Sequence, residues 1–120
     1  MDLDDLSKEM ASLFHKFVKN GKIEQWHKLT EEAINSKNGA ENTALHQVSK
    51  EGNLSMAKYL IRYGAQIDVK NMFGQTPLHC TAYRNELEVM KLLISSGAQV
   101  NVRNEVGRTP LTIAAASEYF

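Results

Sequence analysis

The chain has 120 residues, 42% of them hydrophobic and 23% charged, and its 14 basic and 14 acidic side chains cancel. This size suits one domain with one core, and the composition excludes wholesale disorder. The balanced charge excludes a broad affinity for nucleic acid, which needs clustered Lys and Arg to release counterions. The single cysteine, Cys80, cannot form an internal disulfide, and there is no Cys-x-x-Cys pair for structural zinc. Both facts fit a reducing compartment. The start, Met1-Asp2-Leu3-Asp4-Asp5, has neither the positive charge nor the apolar run of a secretory signal. No apolar run approaches the roughly 20 residues that span a bilayer. The expectation is a soluble protein of the cytoplasm or nucleus, with no membrane insertion.

In chain order, Leu6, Met10, Leu13, Phe14 and Phe17 recur at helical spacing and predict a helix beginning near Asp4 or Asp5. Gly21 follows, and Ile23, Trp26 and Leu29 mark a second apolar stripe, with Trp26 read as core. The next helix runs from Thr43-Ala44-Leu45-His46 to Gly52, and the one after it carries Leu54, Ala57 and Leu60 before Gly64. Thr76 and Pro77 then open a helix, because Thr caps an N-terminus and proline suits the first turn. Asn85, like Gly52, tolerates the left-handed backbone that ends such a helix. Leu87, Met90, Leu93 and Ile94 form the stripe of the following helix, stopped by Gly97. Residues 66–75 and 99–108 read as extended arms with a hairpin-like turn, where Gly74 and Gly107 sit. Glu41 stands in place of that glycine and Ala44 in place of the proline, so the first hairpin is expected to be less regular.

These elements repeat. Leu45, Leu78 and Leu111 stand 33 residues apart, each inside a Thr-x-Leu-x segment, and Thr76-Pro77-Leu78-His79 is the fullest copy. Tyr63-Gly64-Ala65-Gln66-Ile67-Asp68-Val69 pairs with Ser96-Gly97-Ala98-Gln99-Val100-Asn101-Val102 at the same step. A 33-residue period headed by Thr-Pro-Leu-His resembles the ankyrin-repeat family. The resemblance implies an all-α solenoid of stacked helix–turn–helix units joined by hairpin loops. It divides the chain into a degenerate capping repeat at 1–40, repeats at 41–73 and 74–106, and a partial repeat, its first helix only, at 107–120. The first copy is weaker: Phe14-His15 and Gly21 echo Leu45-His46 and Gly52, as expected for an end repeat with one face in water.

His46 and His79 invite a catalytic or metal-binding reading, but the resemblance assigns them with Thr43 and Thr76 to hydrogen bonds that hold the turn. His15 lacks the matching Thr and His27 stands alone, so neither receives a role. Cys80 lies beside His79 and reads as a small packed side chain rather than a thiolate with a partner base. Asn101 holds the position hydroxylated in some members of the family, with Asp68 its equivalent; a turn residue bonding nearby backbone is the simpler reading. There is no Gly-rich phosphate loop, no His-Glu-x-x-His and no recognisable nucleophile setting, so neither enzyme activity, a metal nor a cofactor is expected.

The resemblance implies binding to another protein through hairpin tips and the exposed face of the first helices. Tip positions are Gly39, Ala40 and Asn42, then Met72, Phe73 and Gln75, then Glu105, Val106 and Arg108. Helix-face positions are Lys50 and Glu51, Tyr83 and Arg84, and Ala116 and Ser117. Met72 and Phe73 are apolar where a bare turn would be polar, and Tyr83 and Arg84 adjoin them. Aromatics and Arg are common interface anchors, so these four are taken as the centre of a patch. The alternative is that Phe73 folds onto the next hairpin near Val106. A nucleic-acid reading has only Lys16, Lys19 and Lys22, interrupted by Glu24. Finally, the chain reaches Phe120 after only the first helix of its last repeat. Leu111, Ile113 and Ala115 are therefore expected to lack cover, as in the N-terminal part of a longer protein or an array that self-associates through that edge.

Overall fold

A computed structural model describes residues 32–116, and the copy at 1–40 lies largely outside them, as do Trp26, His15, His27 and Ser117. Residues 32–34 are helical, and five further helices follow among the described residues: α1 (Ala44–Glu51), α2 (Leu54–Arg62), α3 (Pro77–Arg84), α4 (Leu87–Ser95) and α5 (Pro110–Ala116). No strand occurs among these residues. The fold is all-helical: α1, α3 and α5 pack side by side as one layer, and α2 packs on α4 as the other.

Local chemistry sets each boundary. Thr43 and Thr76 are extended residues that cap α1 and α3, and Pro77 and Pro110 occupy the first position of α3 and α5. The first helices end as expected: Gly52 (φ 71°) and Asn85 (φ 54°) are left-handed, and their N–H groups return to the carbonyls of Val48 and Thr81. Gly64 and Gly97 follow the second helices with positive φ, while the next amides, Ala65 and Ala98, donate to Leu60 and Leu93. Asn53 caps α2 by accepting the Met56 N–H at 3.2 Å.

The core is one cluster of Ile34, Leu45, Val48, Ala57, Leu60, Leu78, Val89, Leu93 and Ala98, running between the two layers. The stripe predicted for α4 is only half right. Leu93 is buried and Met90 half-buried, but Leu87 and Ile94 are exposed, and Val89 takes the core position instead. The reason lies in the stacking. Leu54 and Ile61, 33 residues earlier, are half-buried beside α4, whereas no described helix flanks α4 on its far side.

The last helix corrects a second expectation. Ile113 is buried, because α5 lays that side against α3. Leu111 and Ala115 remain exposed.

The first hairpin is also more regular than its sequence suggests. The Glu41 and Gly74 amides donate to the carbonyls of Asn38 and Asn71 in identical turns, and Glu41 adopts φ 61° to do so. The turn needs a left-handed residue, so this glutamate is held where a glycine would sit without strain. At Gly74 (φ 72°) a second constraint applies: a Cβ would stand 3.0 Å from the Glu105 amide of the next hairpin.

Candidate functional site

The hairpins and first helices are locked together by side chains that reach across one repeat. Each histidine works in two directions. Nδ1 of His46 accepts the Thr43 N–H at 3.1 Å, so the ring proton sits on Nε2, which donates to the Gln75 carbonyl at 2.8 Å. His79 does the same with the Thr76 N–H (3.1 Å) and the Arg108 carbonyl (3.0 Å). The threonine hydroxyls lie 3.1 and 2.9 Å from the same Nδ1 atoms. Both rings are buried, and that burial holds their pKa below the ordinary 6.5 while the carbonyl bonds oppose it. They are neutral fasteners near pH 7. In the last copy Thr112 replaces histidine; its hydroxyl takes the Thr109 N–H at 2.7 Å and closes only its own turn.

Two further ladders escaped the sequence reading. Asn38, Asn71 and Asn104 recur every 33 residues, and each Oδ1 accepts two amides of its own hairpin: Ala40 and Asn42, Phe73 and Gln75, Val106 and Arg108. Neighbouring hairpins join through Met72 N–H to Ala40 carbonyl and Glu105 N–H to Phe73 carbonyl, both 3.1 Å, and through Asn71 to Asn42 side chains. Asn35 and Asp68 form the second ladder, accepting the amides of Gln66 and Gln99 at 2.8 and 3.0 Å. The signal was present as the 33-residue spacing of asparagine, but a polar loop residue carries no periodic stripe to draw attention to it. Asn101, next in the Asn35 series, is exposed.

This bracing leaves a concave groove of about 240 Å³ between the first and second helix pairs, lined by α1, α3 and the hairpin bases. Of the tip and helix-face positions chosen from sequence, Asn42, Lys50, Gln75, Tyr83 and Arg84 meet here. Met72 and Phe73 are exposed at the hairpin turn and do not line it. Phe73 is 55% exposed and Val106 75%, so the two do not bury one another. Glu51 accepts a hydrogen bond from Gln47 at 2.8 Å and sits outside the lining. Glu105 and Arg108 are exposed on the following hairpin. Pro77 and Thr76 belong to the buried framework, not to the groove.

Cys80 lines the groove floor, and burial pushes its thiol up to about 11, with nearby Lys50 pulling the other way. It is therefore protonated at neutral pH and a poor nucleophile. Among the described residues no group of three or more His, Cys, Asp and Glu is placed to hold a metal ion. No described helix is long and apolar enough to cross a membrane.

The sequence model for ankyrin repeats in three copies matches residues 14–104 and, in a second placement, 45–120. The chain belongs to the ankyrin-repeat family. The histidine fasteners and the two-layer stack are thus those of ankyrin repeats, which are in general protein-interaction modules and typically non-catalytic. A curated ankyrin relative, the Notch-regulated ankyrin repeat-containing protein of Xenopus laevis, is 34% identical over 68 residues. That alignment covers 52% of this chain and 60% of the relative's length.

Proposed function

We propose that this chain is a non-catalytic adaptor that holds a partner protein across its concave groove and hairpin tips. The observation that carries the reading is the pairing of a rigid scaffold with exposed anchors. Met72, Phe73 and Tyr83 are 48%, 55% and 45% exposed on segments whose backbones are fixed by the asparagine and histidine bonds. Rigid aromatics lose little entropy on binding and dominate interface energetics. Lys50, Gln75, Tyr83 and Arg84 form the groove side of the surface. Met72, Phe73, Glu105 and Arg108 form the tip side, with Glu51 flanking. Repeats placed at 1–40, 41–73, 74–106 and 107–120 supply the frame, and the cytoplasm or nucleus is its setting. Phe73→Ala and Tyr83→Ala separate the two sides. A partner captured by the wild-type chain should be lost or weakened about tenfold or more in at least one variant, as expected of hot-spot aromatics. Unchanged affinity in both rejects the surface.

A second reading concerns the far edge of the stack. Leu78 is 2% exposed and Leu111, its equivalent, 65%; Leu87, Ile94 and Val100 are likewise exposed where Leu54, Ile61 and Ile67 are half-covered. These are the positions that a neighbouring repeat covers one step earlier. The edge fits either further repeats of a longer protein, which would then carry its own activity, or a second copy of this chain. Sedimentation at high concentration tests the second copy: self-association abolished by Leu111→Asp supports it, and a strict monomer rejects it.

A further inference from the structure

The groove between α1 and α3 has a definite electrostatic character. Its lining includes two cations, Lys50 and Arg84, and no carboxylate, with Tyr83 on the wall. His46 is neutral there, as its hydrogen bonds require. Neither Lys50 nor Arg84 forms an ion pair among the described residues; Lys91 with Glu88, on α4, is the pair found there. Two cations over a concave, partly desolvated wall bias its potential positive, with the Glu51 carboxylate at the edge, held by Gln47 at 2.8 Å.

We propose that this groove receives an acidic, extended segment of a partner protein, with carboxylates on Lys50 and Arg84. The proposal deepens the adaptor reading and rests on it. An extended peptide is the occupant that sets side-chain anions at regular spacing along such a groove. Helices in contact lie roughly 8–10 Å apart, and an extended chain advances about 3.3 Å per residue, so acidic residues two or three positions apart match cations on α1 and α3. The cavity, about 240 Å³, falls below the roughly 300–1,000 Å³ of a typical small-molecule pocket. Two cations in a chain of zero net charge also give little counterion release, which disfavours nucleic acid. Tyr83, 45% exposed at the groove wall, offers its ring to an apolar residue flanking the acids.

Fluorescence anisotropy with labelled decapeptides and the full chain tests this directly. Decaglutamate should bind saturably at low salt and weaken as salt rises. Lys50→Ala with Arg84→Ala should cost about tenfold or more, as loss of two exposed charge contacts predicts. The charge-matched pair Lys91→Ala with Arg103→Ala, away from the groove, should leave binding unchanged, and circular dichroism should show every variant folded. Absence of saturable binding overturns the proposal, as does an equal loss in the charge-matched pair. Tighter binding of a ten-nucleotide oligothymidine overturns it in favour of a phosphate backbone. An uncharged Gly/Ser/Phe decapeptide that binds as well as decaglutamate, and is sensitive to Tyr83→Ala, overturns the acidic preference while leaving the adaptor reading standing.

Discussion

Replacing His79 by alanine tests the central structural claim, that one buried ring fastens two repeats. The substitution deletes the bond from Nε2 to the Arg108 carbonyl (3.0 Å) and the bond from the Thr76 N–H to Nδ1 (3.1 Å). Each contributes about 1 kcal/mol net. Thr76 is 0% exposed, so its amide is left without an acceptor in a dry site, which adds about 1–3 kcal/mol. The expected loss is about 4 kcal/mol, a large share of the roughly 5–15 kcal/mol that holds a typical domain. Urea unfolding followed by circular dichroism measures it, with an accompanying fall in Tm on the order of 10 °C. Thr112→Ala is the internal comparison. Thr112 occupies the equivalent position but is exposed and bonds only within its own turn, so its loss should cost about 1 kcal/mol or less. A His79→Ala cost no greater than that of Thr112→Ala would refute the fastening argument.

Further outcomes follow from the same bonds. Burial lowers the folded-state pKa of His46 and His79 below 6.5, so the unfolded chain takes up protons first as pH falls. Their stabilisation is therefore intact above about pH 6.5 and is lost below it, at up to about 1.4 kcal/mol per pH unit for each ring. Urea midpoints between pH 7.5 and 5.5 should show this slope, reduced in His79→Gln; a slope that His79→Gln leaves unaltered contradicts it. Gly107→Ala should cost about 1 kcal/mol through its left-handed backbone alone, whereas Gly74→Ala should cost about 2 kcal/mol or more because its Cβ also meets the Glu105 amide. Equal midpoints for the two alanine variants would dismiss the close approach. Glu41→Gly should stabilise the chain by about 0.5–1 kcal/mol by relieving φ 61° at the first hairpin, readable as a raised Tm.

Helix starts, helix ends and the turns at Gly74 and Gly107 were legible because Thr-Pro, Gly and the 33-residue step each carry a local mechanical reason, whereas Glu41 hid an equally regular first turn. Thr76, Pro77, Gly52 and Asn85 act as their chemistry predicts. The burial of α4 was misread because a stripe of Leu87, Met90, Leu93 and Ile94 says that a helix has an apolar side but not which neighbours cover it. Exposure at Leu87 and Ile94 depends on what stacks beyond the second pair, a long-range fact. The same limit applies to the groove. The resemblance to ankyrin repeats placed Tyr83 and Arg84 on the exposed side of their helix. Their meeting with Lys50 and Gln75 depends on how α1 lies against α3, and so does the separation of Met72 and Phe73 from that lining.

His46 and His79 both end on main-chain carbonyls, those of Gln75 and Arg108, and, the Asn71–Asn42 side-chain pair apart, the ladder bonds of the hairpins run from backbone N–H to backbone carbonyl or to asparagine Oδ1. A carbonyl is present whatever amino acid bears it. Glutamine in one repeat and arginine in the next therefore serve the latch equally well, and the side chains at those places are left to drift under other pressures. At those places the latch draws on main-chain atoms alone, so tip and groove side chains can change without altering how the units hold together.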